Sequence, residues 1–527
     1  MENPRLKMFH DEGLLEATVD ELQDRMESGE ITSKELVLLY MERIGQIDKQ
    51  GLSINSILEV NPDALHIAAA LDAERKKQGP RSALHGIPVL LKDNIDTGDK
   101  MHTSAGSLAL KDHCAQRDSF VASQLRNAGA VILGKTNMTE WANFMTEGMP
   151  SGYSSRGGQT LNPYGPGKFD AGGSSAGSGA AVAVNFAVAA IGTETSGSIL
   201  SPASQNSLVG IKPTVGLVSR TGIIPIAHSQ DTAGPMARTV KDAAILLSVL
   251  SLADENDPIT LTNLDLQNRD FTEYLDQDGL KGARIGIARE TYFEYLSKEK
   301  LSVMNEAVVQ LKKLGAEAVE EVVIPSAKAE WRYDVLTYEF KADLNAYLRT
   351  VAPHLNIRSL ADVIDFNEKN SEKALKYGQT ILQKSEATSG NLTEKAYISA
   401  LEKDIYFSAE QGIDYVMKEH NLDAIVFPNN FGAGIPAKAG YPSITVPAGY
   451  TPEGEPVGIT FTGLAYSEPS LIKFAYAYEQ ATKKRKEKPL SLAISCKHFK
   501  RITACRNTHT TFEKEKKEQV RKWAEQN

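Results

Sequence analysis

A three-layer α/β/α fold is what the sequence predicts, on three observations. Short apolar runs bounded by turn residues alternate with stretches of helical period along most of the chain. Hydrophobic residues make up 41% of the 527 and charged residues 24%, enough for a large core and unlike a disordered chain. No fixed-period repeat is visible.

The first clear helix opens at Thr32. Thr32 and Glu35 have the spacing of a capping box, and Leu36, Leu39, Tyr40, Ile44 and Ile47 then share one face. A second helix covers 61–79 and ends at Gly79-Pro80. Residues 87–91 read as a strand that delivers Lys92 at its end. A helix over about 118–128, capped by Asp118 and stopped by Gly129, leads into a strand at 130–133. Residues 151–179 are rich in Gly and Ser without a period. The stretch 176–191 is so uniformly small and apolar that it reads as one buried helix, too short to span a membrane.

Further strands are predicted at 211–218 and 223–226, then a helix over 235–252 and a strand within 281–288. The helix after it puts Met304, Val308, Leu311 and Leu314 on one side and stops at Gly315. A more helical, charge-rich and variable portion spans about 326–420, and core strands return at 424–427 and 441–449. The predicted organisation is a single domain over 1–482, with its core motifs at 86–238, followed by a basic, exposed tail at 483–527.

Net charge is -9 and uneven. Residues 483–527 carry 14 Lys/Arg against 5 Asp/Glu, leaving 44 against 62 on 1–482. An acidic body argues against a nucleic-acid partner. Three cysteines, Cys114, Cys496 and Cys505, fit a reducing compartment without structural bridges. The first residues lack the pattern of a secretory signal and no apolar run reaches membrane length, so a cytoplasmic protein without a membrane partner is expected. Nothing in the chain specifies an oligomeric state.

Three motifs invite a chemical reading. GAVILGKT at 129–136 satisfies the letters of a phosphate-binding loop. Its central AVIL is, however, the best strand in the neighbourhood, and exposing it would forfeit about 1.5–3 kcal/mol for each large side chain. GSSAG at 173–177 matches the G-x-S-x-G elbow with Ser175 at its centre. The preceding GPGKFDAGG cannot be the apolar strand that such an elbow terminates.

The third motif is dispersed: Lys92 at a strand end, with Ser174 and Ser198 in separate Gly/Ser turns. A serine hydroxyl is a poor nucleophile until a base takes its proton. Lysine can be that base only when neutral, with its usual pKa near 10.4 lowered by burial or nearby cations. The run GIPVLL offers a reason for desolvation. A buried ion pair at Lys92 and ordinary tight turns at the serines account for the same residues. His85, His102 and His113 have spacings that fit no zinc helix, and neither metal nor cofactor is expected.

Taken together, GIPVLLKDNI (86–95), GKTNMTEWA (134–142), NPYGPGKFDAGGSSAGSGAAVA (162–183), GTETSGSILSPA (192–203), VGIKPTVGLVSRTGII (209–224) and DTAGPMAR (231–238) resemble the amidase-signature family of serine hydrolases. The resemblance runs from about residue 30 to 250 and continues more weakly to 482. It implies a mixed central β-sheet covered by helices on both faces, and a Ser-Ser-Lys triad. Lys92 would be the base, Ser174 the bridging serine after a cis peptide bond, and Ser198 the nucleophile. The backbone N–H groups of Thr195, Ser196, Gly197 and Ser198 would form the oxyanion hole, with Ser175 and Thr193 in support. The implied reaction cleaves a small-molecule or short-peptide amide to carboxylate and ammonia or amine, water being the second substrate.

One stretch departs from the family pattern. Where the common turn reads D-x-G-G-S-I-R, this chain has Glu194-Thr195-Ser196-Gly197-Ser198-Ile199-Leu200, so the usual Asp–Arg brace is missing. This form resembles the branch of peptide amidases and broad bacterial amidases more than the glutaminase subunit of aspartyl/glutamyl-tRNA amidotransferase. With all three triad residues present, a non-catalytic scaffold is the weakest alternative.

Overall fold

Two local devices start the chain. Thr18 with Glu21, and Thr32 with Glu35, each exchange both hydrogen bonds of a capping box, opening the helices Val19–Glu27 and Ser33–Arg43. The computed structural model describes residues 2–487, which lie in one compact unit. Among the described residues, no helix is long and apolar enough to cross a membrane.

The centre is an eleven-stranded mixed sheet. In chain order its strands are β1 (Ile57–Val60), β2 (Pro88–Lys92), β3 (Val131–Thr136), β4 (Ala189–Glu194), β5 (Val209–Lys212), β6 (Thr232–Ala237), β7 (Arg284–Ile287), β8 (Glu317–Val319), β9 (Ala424–Pro428), β10 (Ser443–Tyr450) and β11 (Pro456–Thr462). The spatial order is β1-β3-β2-β4-β6-β5-β10-β11-β9-β7-β8. Pairing is parallel for β3-β2-β4 and for β9-β7-β8, and antiparallel elsewhere. Every residue of β2, β3, β4 and β6 is buried, so their side chains are covered whichever way they point. Strands enclosed like this are continuous apolar runs without alternation, and that explains two differences from the periodicity reading.

The first is 176–191. It divides into the helix Ala176–Ala183 and strand β4, with Asn185 at φ 61° in the turn between. The second is 235–252, where Pro235–Ala237 ends β6 and the helix begins only at Val240, after its cap Thr239. Smaller corrections follow the same logic of local partners. Ser119, not Asp118, caps the helix Phe120–Asn127, while Asp118 takes the Gly98 N–H and Arg126 Nε. Residues 223–226 make only an isolated bridge, Ile95 to Ile223. The phosphate-loop lookalike is strand β3, and its Lys135 is buried against Thr103 Oγ1 at 2.8 Å.

The region 326–420 is mostly helical, its longest helix being Asp334–Leu348. It packs on the body through one apolar cluster in which Leu336, Phe340 and Leu344 meet Met138, Trp141 and Phe144. Of the predicted exposed tail, residues 483–487 are described and 488–527 lie outside the described residues. Arg485 is not exposed: its guanidinium holds both carboxylate oxygens of Glu16 at 2.6 and 2.7 Å, and only 11% of its side chain is accessible. Charge composition counts this arginine but cannot show the carboxylate waiting for it at the other end of the chain.

Candidate active site

Strand β2, third from one edge of the sheet, carries Lys92 between β3 and β4. Its side chain is 0% exposed. Nζ lies 2.7 Å from Ser174 Oγ, 2.8 Å from Thr193 Oγ1 and 3.1 Å from Thr193 O. Among the described residues, no carboxylate forms an ion pair with it. Burial lowers its pKa to about 7, against the opposing pull of Asp231 and Glu194. The two sequence readings of Lys92 thus separate: it is buried, but beside hydroxyls.

Ser174 follows a cis peptide bond from Gly173. A side chain at 173 would bring its Cβ to 2.6 Å from Thr139 Oγ1, so this approach requires glycine. Ser175 Oγ donates to Thr193 O at 3.1 Å and accepts from Thr193 N at 3.3 Å, tying the serine turn to β4. That use of its hydroxyl sets it apart from an elbow nucleophile. Thr193 Oγ1 also accepts from Asn94 Nδ2 at 3.0 Å. Asn94 had only its position beside Lys92 to recommend it in the sequence.

Ser198 is 7% exposed and lines a cavity of about 410 Å³ with Phe144, Met149, Ile226 and Leu336. Its carbonyl accepts from Ser175 N at 3.2 Å, which fixes the two serine turns against each other. Among the described residues, Ser198 Oγ has no hydrogen-bond partner.

The departure at 194–200 has a structural replacement. Glu194, 2% exposed, accepts the N–H of Gly197 at 2.6 Å through one oxygen. Its other oxygen accepts those of Ile199 at 2.7 Å and Leu200 at 3.0 Å. One carboxylate thus braces the turn from within and also faces the first residues of the helix Leu200–Gln205. One of the four predicted oxyanion donors is therefore engaged within the turn. The Gly197 N–H is already spent on Glu194, and Gly197 instead supplies the φ of +82° that the turn needs. The N–H groups of Thr195, Ser196 and Ser198 have no partner among the described residues.

Thr195 Oγ1 bonds Asp231, a half-buried carboxyl whose pKa is raised to about 6 by desolvation. Asp231 also takes the N–H of Ile226 at 2.8 Å and of Ala227 at 2.9 Å, locking that cavity wall. His85, His102 and His113 are dispersed, held by Leu71 O, Glu59 and Tyr347 respectively.

Ser198 faces a cavity, and its turn is joined through Ser175 to the one in which Ser174 meets Lys92. The amidase family profile matches residues 35–472. The chain belongs to the amidase family. It is 42% identical over 482 residues to a probable amidase of Arabidopsis thaliana, covering 89% of this chain and 91% of that protein. The solved peptide amidase of Stenotrophomonas maltophilia superposes with a TM-score of 0.84 at 45% identity, over 89% of this chain and 98% of that one. The A subunit of glutamyl-tRNA(Gln) amidotransferase from Microcystis aeruginosa is 34% identical, over 90% and 99% of the two chains. Family membership makes the chain an amide hydrolase with an α/β fold.

Proposed function

We propose that the protein cleaves a carboxylic-acid amide through a Ser198 acyl-enzyme, with Ser174 and Lys92 as the proton relay. The observation that carries this reading is the 2.7 Å contact between buried Lys92 Nζ and Ser174 Oγ. A neutral amine has two N–H groups and one lone pair. Thr193 Oγ1 and Thr193 O offer acceptors for the N–H groups, which leaves the lone pair for the Ser174 hydroxyl proton.

In the first half-reaction Ser198 Oγ attacks the amide carbon while its proton passes to Ser174 and that of Ser174 to Lys92. The Ser198–Ser174 contact forms as substrate arrives, a tightening that such sites undergo. The tetrahedral oxyanion takes hydrogen bonds from the N–H groups of Thr195, Ser196 and Ser198, each such donor being worth about 3–4 kcal/mol. As the C–N bond breaks, the proton returns along the relay to nitrogen, which leaves as ammonia or amine. Water then attacks the ester carbonyl, gives up its proton by the same route, and frees carboxylate and Ser198.

Among amides, the C-terminal amide of a peptide is favoured over glutamine. The Glu194–Leu200 turn and the higher identity to the peptide amidase than to the amidotransferase subunit both support this. Ammonia release from benzamide, a short aliphatic amide, a blocked peptide amide and glutamine on one preparation tests the reading. The peptide amide should be fastest and Ser198→Ala should lose all four activities. Full turnover by Ser198→Ala would sink the mechanism, and preference for glutamine would sink the substrate choice.

A further inference from the structure

A second chamber of about 280 Å³ meets the Ser198 cavity, both being bordered by Ser196, Tyr333 and Leu336. Its walls are aromatic and come from three distant segments: Tyr292, Trp331 with Tyr333, and Phe431. Two of these rings are open, Tyr333 at 67% and Phe431 at 42% exposed. The other two are fixed. Tyr292 packs edge-on against Phe427 at 4.8 Å, and Trp331 Nε1 donates to Ser326 O at 3.1 Å. The charges at the rim are already paired, Arg332 with Glu330 and Lys438 with Asp404, and the Lys438 ammonium also lies over the Trp331 ring at 5.6 Å, which leaves that ring its edge and opposite face for a guest.

We infer that this chamber binds an aromatic side chain of a peptide-amide substrate, at the residue next to the one bearing the scissile amide. The inference rests on the peptide-amide reading above. Ser196 and Ser198 are two residues apart, so their Cα atoms are separated by at most about 7 Å, a distance that one Cα step of about 3.8 Å in an extended substrate covers together with the length of an aromatic side chain. With the scissile carbonyl at Ser198, the neighbouring residue reaches Ser196 and the mouth of the chamber. Edge-to-face contact with fixed rings rewards an aromatic guest beyond simple area.

The test compares kcat/KM for N-acetyl-phenylalanyl-glycinamide and N-acetyl-alanyl-glycinamide in wild type, Trp331→Ala, Phe431→Ala and Trp331→Phe. Wild type should prefer the phenylalanyl substrate by roughly 10–200-fold, the range a filled apolar pocket gives. Each alanine variant should lose most of that ratio, and Trp331→Phe should recover much of it. Propionamide turnover by every preparation reports folding and chemistry separately. Equal use of both peptides by wild type overturns the inference, and so does a ratio preserved in both alanine variants. Propionamide cleavage without cleavage of either peptide overturns it too, with amide hydrolysis itself left standing. Folded protein that cleaves none of the three removes the underlying function and the chamber's role with it.

Discussion

Lys92 and Ser174 stand 82 residues apart in the chain and 2.7 Å apart at their side-chain tips. The contact is made by β2 ending beside β4 while the Gly/Ser turn folds over both, so no local motif could have produced it. Its chemical worth depends on the amine being uncharged near neutrality, and burial is what supplies that.

The pH–rate profile should follow Lys92. Its folded value is about 7, so kcat/KM should rise about tenfold per unit below pH 7 and level off above it. Stability should carry the matching sign. Between about 7 and 10.4 the unfolded chain holds a proton on this lysine that the folded chain does not, so its contribution rises with pH across that window. Lys92→Met should remove both the activity and this part of the slope. Stability curves for wild type and Lys92→Met that stay parallel from pH 7 to 10 would contradict the assignment.

Serine labelling should separate the three neighbouring hydroxyls. A sulfonyl fluoride should modify wild type and fail on Ser198→Ala. Ser198→Ala and Ser174→Ala should each lose at least about 10³-fold in kcat. Ser175→Ala should lose less, because it removes a brace to Thr193 worth about 1 kcal/mol. Mass spectrometry of the labelled peptide identifies the modified serine.

Glu194 should matter through geometry. Glu194→Ala leaves the N–H groups of Gly197, Ile199 and Leu200 without their acceptor, each omission costing about 1–3 kcal/mol where water does not enter. Glu194→Gln keeps an acceptor for two of them but turns an NH₂ toward the third. The expected order in kcat is wild type, then Gln, then Ala, with Ala down roughly 10²-fold and KM nearly constant. Steady-state kinetics with thermal melts of all three checks the order.

Phe340 lies across the seam between the helical region and the body, edge-on to Phe144 at 5.1 Å. Phe340→Ala should cost about 3–5 kcal/mol. Because Phe144 also lines the Ser198 cavity, KM should rise more than kcat falls. Urea melts and kinetics on the same variant measure the two effects.

ATP with Mg²⁺ should not shift the melting temperature, although GAVILGKT spells a phosphate loop. The segment is an interior strand, and Lys135 is spent on Thr103 and the Ile95 carbonyl.

Legibility followed the range of the interactions involved. The capping box at Thr32 is local, and sequence located the start of that helix to the residue, although Ile44 and Ile47, read on the same face, fall in the π-helical segment Ile44–Gln50 that follows. Strand β2 was readable because Ile87 to Leu91 is apolar and flanked by turn signals. The chain from 176 to 191 was misleading because a buried strand and a buried helix made of small apolar residues look alike without a period, and only the turn at Asn185 divides them. In the site, Lys92, Ser174 and Ser198 could be singled out from the family resemblance. The engagement of the Gly197 N–H by Glu194 could not, since spacing says nothing of where a carboxylate turns back. Nor could Asn94, whose hydrogen bond to Thr193 joins two strand ends.

The aromatic walls of the second chamber have a different origin from the groups proposed to react. Lys92 and both serines are in place by residue 198, whereas Tyr292, Trp331, Tyr333 and Phe431 arrive from loops and a helix start much later in the chain. Selectivity can therefore be rewritten by exchanging the later stretch among related sequences while the proton relay is inherited intact. Chimeras joined within the sheet offer a direct route to enzymes with new tastes and old chemistry.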